Sequence, residues 1–236
     1  MKTIGIALLV TAWLLAAPGC KSPYGHEPAP HPYDRVLSEA GIKYGIDGVG
    51  ANGNFGIELY DLGKEGLYPL RGMPLTFVNA FVAKPTFDDL SPLKGMQLYC
   101  LYLPHRCAVA DLTPLSGMPL EMLSLTGSQI VDLSPLRGMK LKSLNISGTQ
   151  VEDLASLCNT SVESLSMADT KVSDLGPLKN VTNLRFLSLG PPSWEYDNPP
   201  TYVCLGYMGP DLSPLKDVSL ERILFPVDVL TNGVEA

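Results

Sequence analysis

The chain has 236 residues, a formal charge of −7, 45% apolar side chains and 17% charged ones. That is long enough for one sizeable core or for an elongated stack of small ones. The acidic balance, with no run of Lys and Arg, excludes nucleic acid as the expected partner, because phosphate backbones demand clustered cations.

Residues 1–19 carry Lys2, an apolar run from Ile4 to Ala17, and then Pro18-Gly19 before Cys20. The run is too short for a stable membrane span and reads as a secretory signal. Its end resembles a bacterial lipobox, which implies that Cys20 becomes the diacylated first residue of a membrane-anchored, cell-envelope lipoprotein. Ordinary cleavage leaving a free Cys20 is the other reading. Setting Cys20 aside leaves four of the five cysteines, an even number suited to an oxidising compartment. The following segment to residue 34 holds four prolines and little to bury, so a solvated tether is expected over 20–34. His26 and His31 lie in that tether without a third ligand, so no metal site is expected there.

Residues 35–66 are expected to cap a larger unit. A short helical turn is predicted from Arg35 to Ala40, stopped by Gly41. Gly48-Val49-Gly50-Ala51-Asn52-Gly53 matches a dinucleotide fingerprint formally, but Asn54-Phe55-Gly56 and a strand-like Ile57-Glu58-Leu59-Tyr60 follow it. A phosphate-cradling loop needs a helix or a lysine-bearing strand there, so a glycine-rich turn inside the cap is the expectation. Ile57, Leu59, Leu62, Leu67 and Leu70 are the expected lid over the first coil.

From residue 67 a sentence repeats. Copies begin at Asp89, Asp111, Asp132, Asp153 and Asp174, spaced 22, 21, 21 and 21, and another begins at Asp211. A fixed period of this size marks a solenoid. In DLSPLRGMKLKSLNISGTQVE, Leu144 and Ile146 alternate with polar residues, predicting a strand with one face buried. Ser134 before Pro135 predicts an N-cap and a single helical or 3-10 turn. Gly138 is expected to end that turn at positive φ, as are Gly72, Gly95 and Gly117, with Asn159, Asn180 and Asp217 as substitutes. Leu75–Ala80 is expected to be a degenerate first strand, and Phe87 to share a column with Val109, Ile130, Val151 and Val172.

The pattern L-x-x-L-x-L, followed by a small polar residue, one further residue and Val or Ile, resembles the leucine-rich repeat family in its short bacterial form, the internalin type. It covers residues 60–229, about two-thirds of the chain. The resemblance implies an α/β repeat fold: a right-handed leucine-rich repeat solenoid of about seven coils over 67–229. A parallel β-sheet would form its concave face and short helical or 3-10 turns its convex side. It also implies a non-enzymatic, protein-binding scaffold, with a purely structural envelope protein as an alternative that needs no partner. One departure is that Ser128, Thr149 and Thr170 stand where the family carries Asn, and whether hydroxyls serve the turn amides as Asn does is open.

The positions between the strand leucines form the expected concave strip: Phe77, Asn79, Cys100, Tyr102, Met122, Ser124, Ser143, Asn145, Ser164, Ser166, Phe186, Ser188, Arg222 and Leu224. Its uncharged middle points to recognition by hydrogen bonding and shape. The candidate contacts are Phe77, Asn79, Tyr102, Ser124, Asn145, Ser166, Phe186 and Ser188. About 16 residues are inserted before Asp211, and this 191–210 loop carries Trp194, Tyr196 and Tyr202. It is either a binding loop or padding for the C-terminal edge, and cell-wall glycan is the alternative partner it suggests. Residues 230–236 form a tail. Cys158 falls in the column of Arg71, Lys94, Ser116, Arg137, Lys179 and Lys216, which places it at the surface. Cys158 with Cys204, and Cys100 with Cys107, are the candidate disulfide pairs. The Asp column would repel itself unless a cation row or the turn amides compensated, and the amides suffice to explain it. His105-Arg106-Cys107 offers a base beside a thiol with nothing to orient the imidazole, and GxSxG, HExxH and CxxC are absent, so neither catalysis nor a cofactor is expected.

Overall fold

The computed structural model describes residues 31–49, 53–62, 65–80, 87–190, 212–218 and 220–224. The chain divides into two units, Met1–Asp34 and Arg35–Ala236, and the repeats belong to the second. The signal, Cys20, the tether to residue 30, the 191–210 loop and the C-terminal tail lie outside the described residues.

A short helix, α1 (Asp34–Glu39), is followed by nine strands that hydrogen-bond in chain order. These are β1 (Lys43–Val49), β2 (Phe55–Asp61), β3 (Leu75–Asn79), β4 (Cys100–Tyr102), β5 (Met122–Ser124), β6 (Ser143–Asn145), β7 (Ser164–Ser166), β8 (Phe186–Ser188) and β9 (Arg222–Leu224). Pairing is parallel from β2 to β9 and antiparallel between β1 and β2. The expected parallel solenoid is therefore present, with β3–β9 as its coil strands.

Register follows from the leucines. Leu101, Leu123, Leu144, Leu165 and Leu187 are direct cross-strand partners in successive ladders. Each is essentially inaccessible. A buried leucine contributes roughly 1.5–3 kcal/mol over an exposed one, and a one-residue slip would turn the whole column to solvent. Phe87, Val109, Ile130, Val151 and Val172 form a second buried column, as their spacing predicts. The lid expected of Ile57, Leu59, Leu62, Leu67 and Leu70 is likewise fully buried.

The turns opposite the sheet show how Asp works. Oδ1 of Asp89, Asp111, Asp132, Asp153 and Asp174 each accepts the N–H two residues on, at 2.7 Å in every coil. The expectation that Ser134 caps the turn is thus corrected: Ser134 is the first residue of the 3-10 turn Ser134–Leu136, and its amide and hydroxyl both donate to Asp132. Asp fits better because its carboxylate reaches forward over two residues and takes two donors at once.

After each of the first five 3-10 turns comes a type II turn. Arg137 has φ −58 and ψ 129, Gly138 has φ 73, and Met139 N–H donates to Leu136 C=O at 3.1 Å. Gly72, Gly95, Gly117 and Asn159 take the same positive-φ place. Asn180 does not. There the 3-10 turn runs on as Gly176–Asn180, and Ser213–Asp217 does the same, so a residue with a Cβ avoids the left-handed penalty of about 1–2 kcal/mol.

One strand departs from the sequence pattern. Gly48 belongs to β1 rather than to a turn, while Gly53 sits at positive φ before β2 and residues 50–52 lie outside the described set. Gly45 lies beside Tyr60 of the neighbouring strand: a Cβ there would stand 3.0 Å from the Tyr60 hydroxyl, the tip of an exposed side chain.

Candidate functional site

On the strand face away from the leucine column, two rows run across the sheet. One passes through Phe77, Cys100, Met122, Ser143, Ser164 and Phe186, the other through Asn79, Tyr102, Ser124, Asn145, Ser166 and Ser188. Arg222 and Leu224 continue the backbone pairing at β9. The expected strip is therefore assembled in register on one surface.

Its two ends are apolar and differ in construction. At the N-terminal end Phe77 meets Tyr102 edge-on, with ring centroids 5.9 Å apart, and the Tyr102 hydroxyl lies 3.5 Å from Met122 Sδ. Such pairs hold large rings in place without burying them. Burial, then the neighbouring Cys100, raises the Tyr102 phenol above its ordinary range, so it stays a neutral donor. At the far end Phe186 is 39% exposed under the Arg185 guanidinium, which lies 5.7 Å from the ring centroid. Between them Ser143, Ser164, Asn145, Ser166 and Ser188 are half-buried. Ser124 departs from expectation. It is only 7% exposed and shares a 3.0 Å bond with Thr126, which withdraws it from the surface.

A row one residue before each strand went unread in the sequence. Glu121, Lys142, Glu163, Arg185 and Glu221 alternate in sign from coil to coil. Lys142 pairs with Glu121 at 2.7 Å, and Arg185 pairs with Glu221 through Nε at 2.7 Å and through Nη2. Hydrogen bonding to Glu121 and its charge raise the Lys142 pKa. Exposed pairs of this kind contribute little to stability, but the alternation penalises a shift by one coil. With three carboxylates and two cations, the alternation leaves this edge of the strip a net charge of only −1. The signal was available: the residues lie 21, 21, 22 and 36 apart, but only after alignment on the strands.

The hydroxyl column answers the question left by the missing asparagines. Thr149 and Thr170 donate to the carbonyls three residues back, at 2.6 and 2.9 Å, instead of accepting from the turn amides. Backbone carbonyls of neighbouring coils take those amides, as in Gly127 N–H to Ser147 C=O and Gly148 N–H to Ala168 C=O. Ser128 Oγ and Ser147 Oγ are buried without a partner among the described residues.

Cys107 lies in this column too, hidden in the sequence by one extra residue at His105-Arg106, where Arg106 takes φ 62. The pairing of Cys100 with Cys107 is corrected: both thiols are free. Strand alternation explains it, since Cys100 faces the open strip while Cys107 is fully buried inside. Burial raises both thiol pKa values, and the Glu121 charge raises that of Cys100 further. A buried thiol held protonated is a poor nucleophile beside His105. Cys158 is also free and half-buried, with its sulfur 3.6 Å from Pro177 C=O, and Cys204 lies outside the described residues. So do Trp194, Tyr196 and Tyr202. Among the described residues no three His, Cys, Asp or Glu converge on a metal position.

No protein-family profile and no curated protein matches the chain. Among solved structures, an internalin C2 from Listeria monocytogenes is similar at 30% identity and a TM-score of 0.55, over 67% of this chain and 65% of that one. The chain thus spans somewhat less than two-thirds of that relative's length. A second internalin from the same organism matches at 24% identity and a TM-score of 0.41, over 52% of this chain and 50% of that one.

Proposed function

The chain is a leucine-rich repeat protein of the internalin-like short-repeat type, and from that premise we propose that it is a bacterial, non-enzymatic scaffold of the cell envelope that binds a protein partner. The open strip between Phe77 and Phe186 is the contact surface, and a lipid on Cys20 tethers the molecule to the membrane. One observation carries the reading. A solvent-facing surface has apolar residues at both ends, half-buried hydroxyls and an amide between them, and an edge of alternating charge. Interfaces that rely on shape and hydrogen bonding have this composition, with aromatic anchors supplying most of the energy. Neither His105 nor the buried thiols supply an activated nucleophile.

The test is capture from envelope extracts with the wild-type chain and with an Asn145→Arg/Ser166→Arg variant. Both substituted positions are half-buried strand residues facing away from the core. The proposal expects a discrete band that the variant loses while its far-UV spectrum is kept. A band retained in full by the variant sinks it.

A further inference from the structure

The side of each coil opposite the strands carries a second ordered surface. Turn touches turn from coil to coil here, as strand touches strand on the other side. Position i+1 of the successive turns, the most outward one, is held by Arg71, Lys94, Ser116, Arg137 and Cys158, and Lys179 and Lys216 continue the row. Five of these seven positions are cationic in a chain whose formal charge is −7. All five cations are exposed, and none has an ion-pair partner among the described residues, whereas Lys142 and Arg185 on the sheet edge do. Seven turns at the ~4.8 Å strand spacing set them along a line of about 30 Å.

The backbone adds donors to the same line. A type II turn leaves the amide of its third residue outside the turn's own hydrogen bond, and at Asn159 that amide crosses to the next coil, donating to Asn180 C=O at 3.1 Å. The amides of Gly72, Gly95 and Gly138, each next to a cation, and that of Gly117 beside Ser116 meet no acceptor among the described residues. Shallow grooves lie between the turns. One of about 400 Å³ is lined by Arg71, Gly72, Lys94 and Gly95, and one of about 370 Å³ by Arg137, Gly138, Cys158 and Asn159.

We propose that this row of turns is a binding rail for a linear phosphate-bearing polymer without stacking bases, held by Arg71, Lys94, Arg137, Lys179 and Lys216, with the glycine amides beside them as further donors. A thread is favoured over a flat anionic surface by the Asp row. It runs parallel to the cations, five residues earlier in each coil, on the order of 10 Å away, which is about one Debye length. A planar surface meets both rows and is repelled by one, while a thread lies on the cationic row alone. Nucleic acid is disfavoured because no aromatic interleaves the cations as a base platform. Tyr68, the exposed ring nearest Arg71, is drawn to the acidic row by a 3.0 Å bond to Asp89.

The test titrates the full chain with long-chain inorganic polyphosphate. Measurable binding is expected, with a log–log salt slope of about −3 to −4 for five contacts at roughly −0.7 each. Arg71→Gln/Lys94→Gln removes both cations of one groove and should weaken binding roughly tenfold and shorten the slope by about 1.4, while Lys142→Gln/Arg185→Gln leaves both unchanged. Absence of binding by the wild-type chain overturns the proposal, as does an unchanged slope in Arg71→Gln/Lys94→Gln. Tighter binding to vesicles rich in anionic lipid, or to a single-stranded oligonucleotide of equal charge, overturns the choice of a base-free thread. The open-face reading stands or falls separately, because none of these substitutions touches the strip.

Discussion

Gly127 and Gly138 share a backbone conformation and differ in what surrounds them, which lets one contribution be separated from the other. Both sit at positive φ, 68 for Gly127 and 73 for Gly138. A Cβ on Gly138 meets nothing within 4 Å, so Gly138→Ala pays only the left-handed penalty, about 1 kcal/mol. A Cβ on Gly127 stands 3.0 Å from Arg106 N, 3.2 Å from His105 Nδ1 and 3.3 Å from Arg106 Cγ. The nearest of these is backbone, which cannot swing aside, and overpacking adds roughly 1–3 kcal/mol to the same penalty. Gly127→Ala should therefore cost about 2–4 kcal/mol. Urea unfolding followed by far-UV circular dichroism measures both variants, with the m-value checking that the coils still unfold together. Equal costs, or a larger one at Gly138, would refute the claim that the extra residue of the His105 coil is packed against the next coil.

Three further outcomes rest on the hydroxyls, carboxylates and thiols. Thr149→Val should cost about 1 kcal/mol by removing a buried 2.6 Å bond to Ile146 C=O, whereas Ser147→Ala, whose buried hydroxyl has no partner among the described residues, should be neutral or stabilising in the same unfolding assay. Hydrogen bonds from the following Ser or Thr hold the carboxyls of Asp89, Asp111 and Asp132 below their ordinary range. Their contribution is complete above the ordinary carboxylate pKa and is lost as pH falls through the depressed values, so an Asp89→Asn/Asp111→Asn/Asp132→Asn variant should show a flatter decline of melting temperature on acidification. A decline as steep as wild type would count against these bonds. Of the three thiols in the described residues, Cys158 should alkylate in the native protein while Cys100 and Cys107 react only after unfolding, as peptide mass mapping would show.

Much of the fold was legible in the sequence because the repeat writes it many times. Leu144, Val151 and Gly138 have counterparts a fixed number of residues away, and only stacked coils satisfy all of them. Features that occur once were harder. The strand from Lys43 to Val49 carries Gly45 and Gly48 where β-formers are expected, and it is held by antiparallel pairing with Phe55–Asp61, a contact between strands that no repeat announces. Cys107 is a candidate partner for Cys100 in the sequence because it lies just past that strand, and the extra residue before it hides its place in the buried column. Ser134 and Asp132 are both good capping residues, and only geometry distinguishes them. The strip was legible as a set of positions. Its exposure was not, since the bond between Ser124 and Thr126 depends on side-chain rotamers that the pattern does not encode.

The central claim is that a stack of leucine columns leaves the outer side of the sheet free to hold a protein. Photo-cross-linking tests it most directly, with the reactive group placed in turn at Ser166 on the strip and at Ser116 on the turns. A discrete protein adduct is expected from Ser166 and none from Ser116; adducts from Ser116 alone, or equally from both, would show that the sheet's outer side is not where the partner sits.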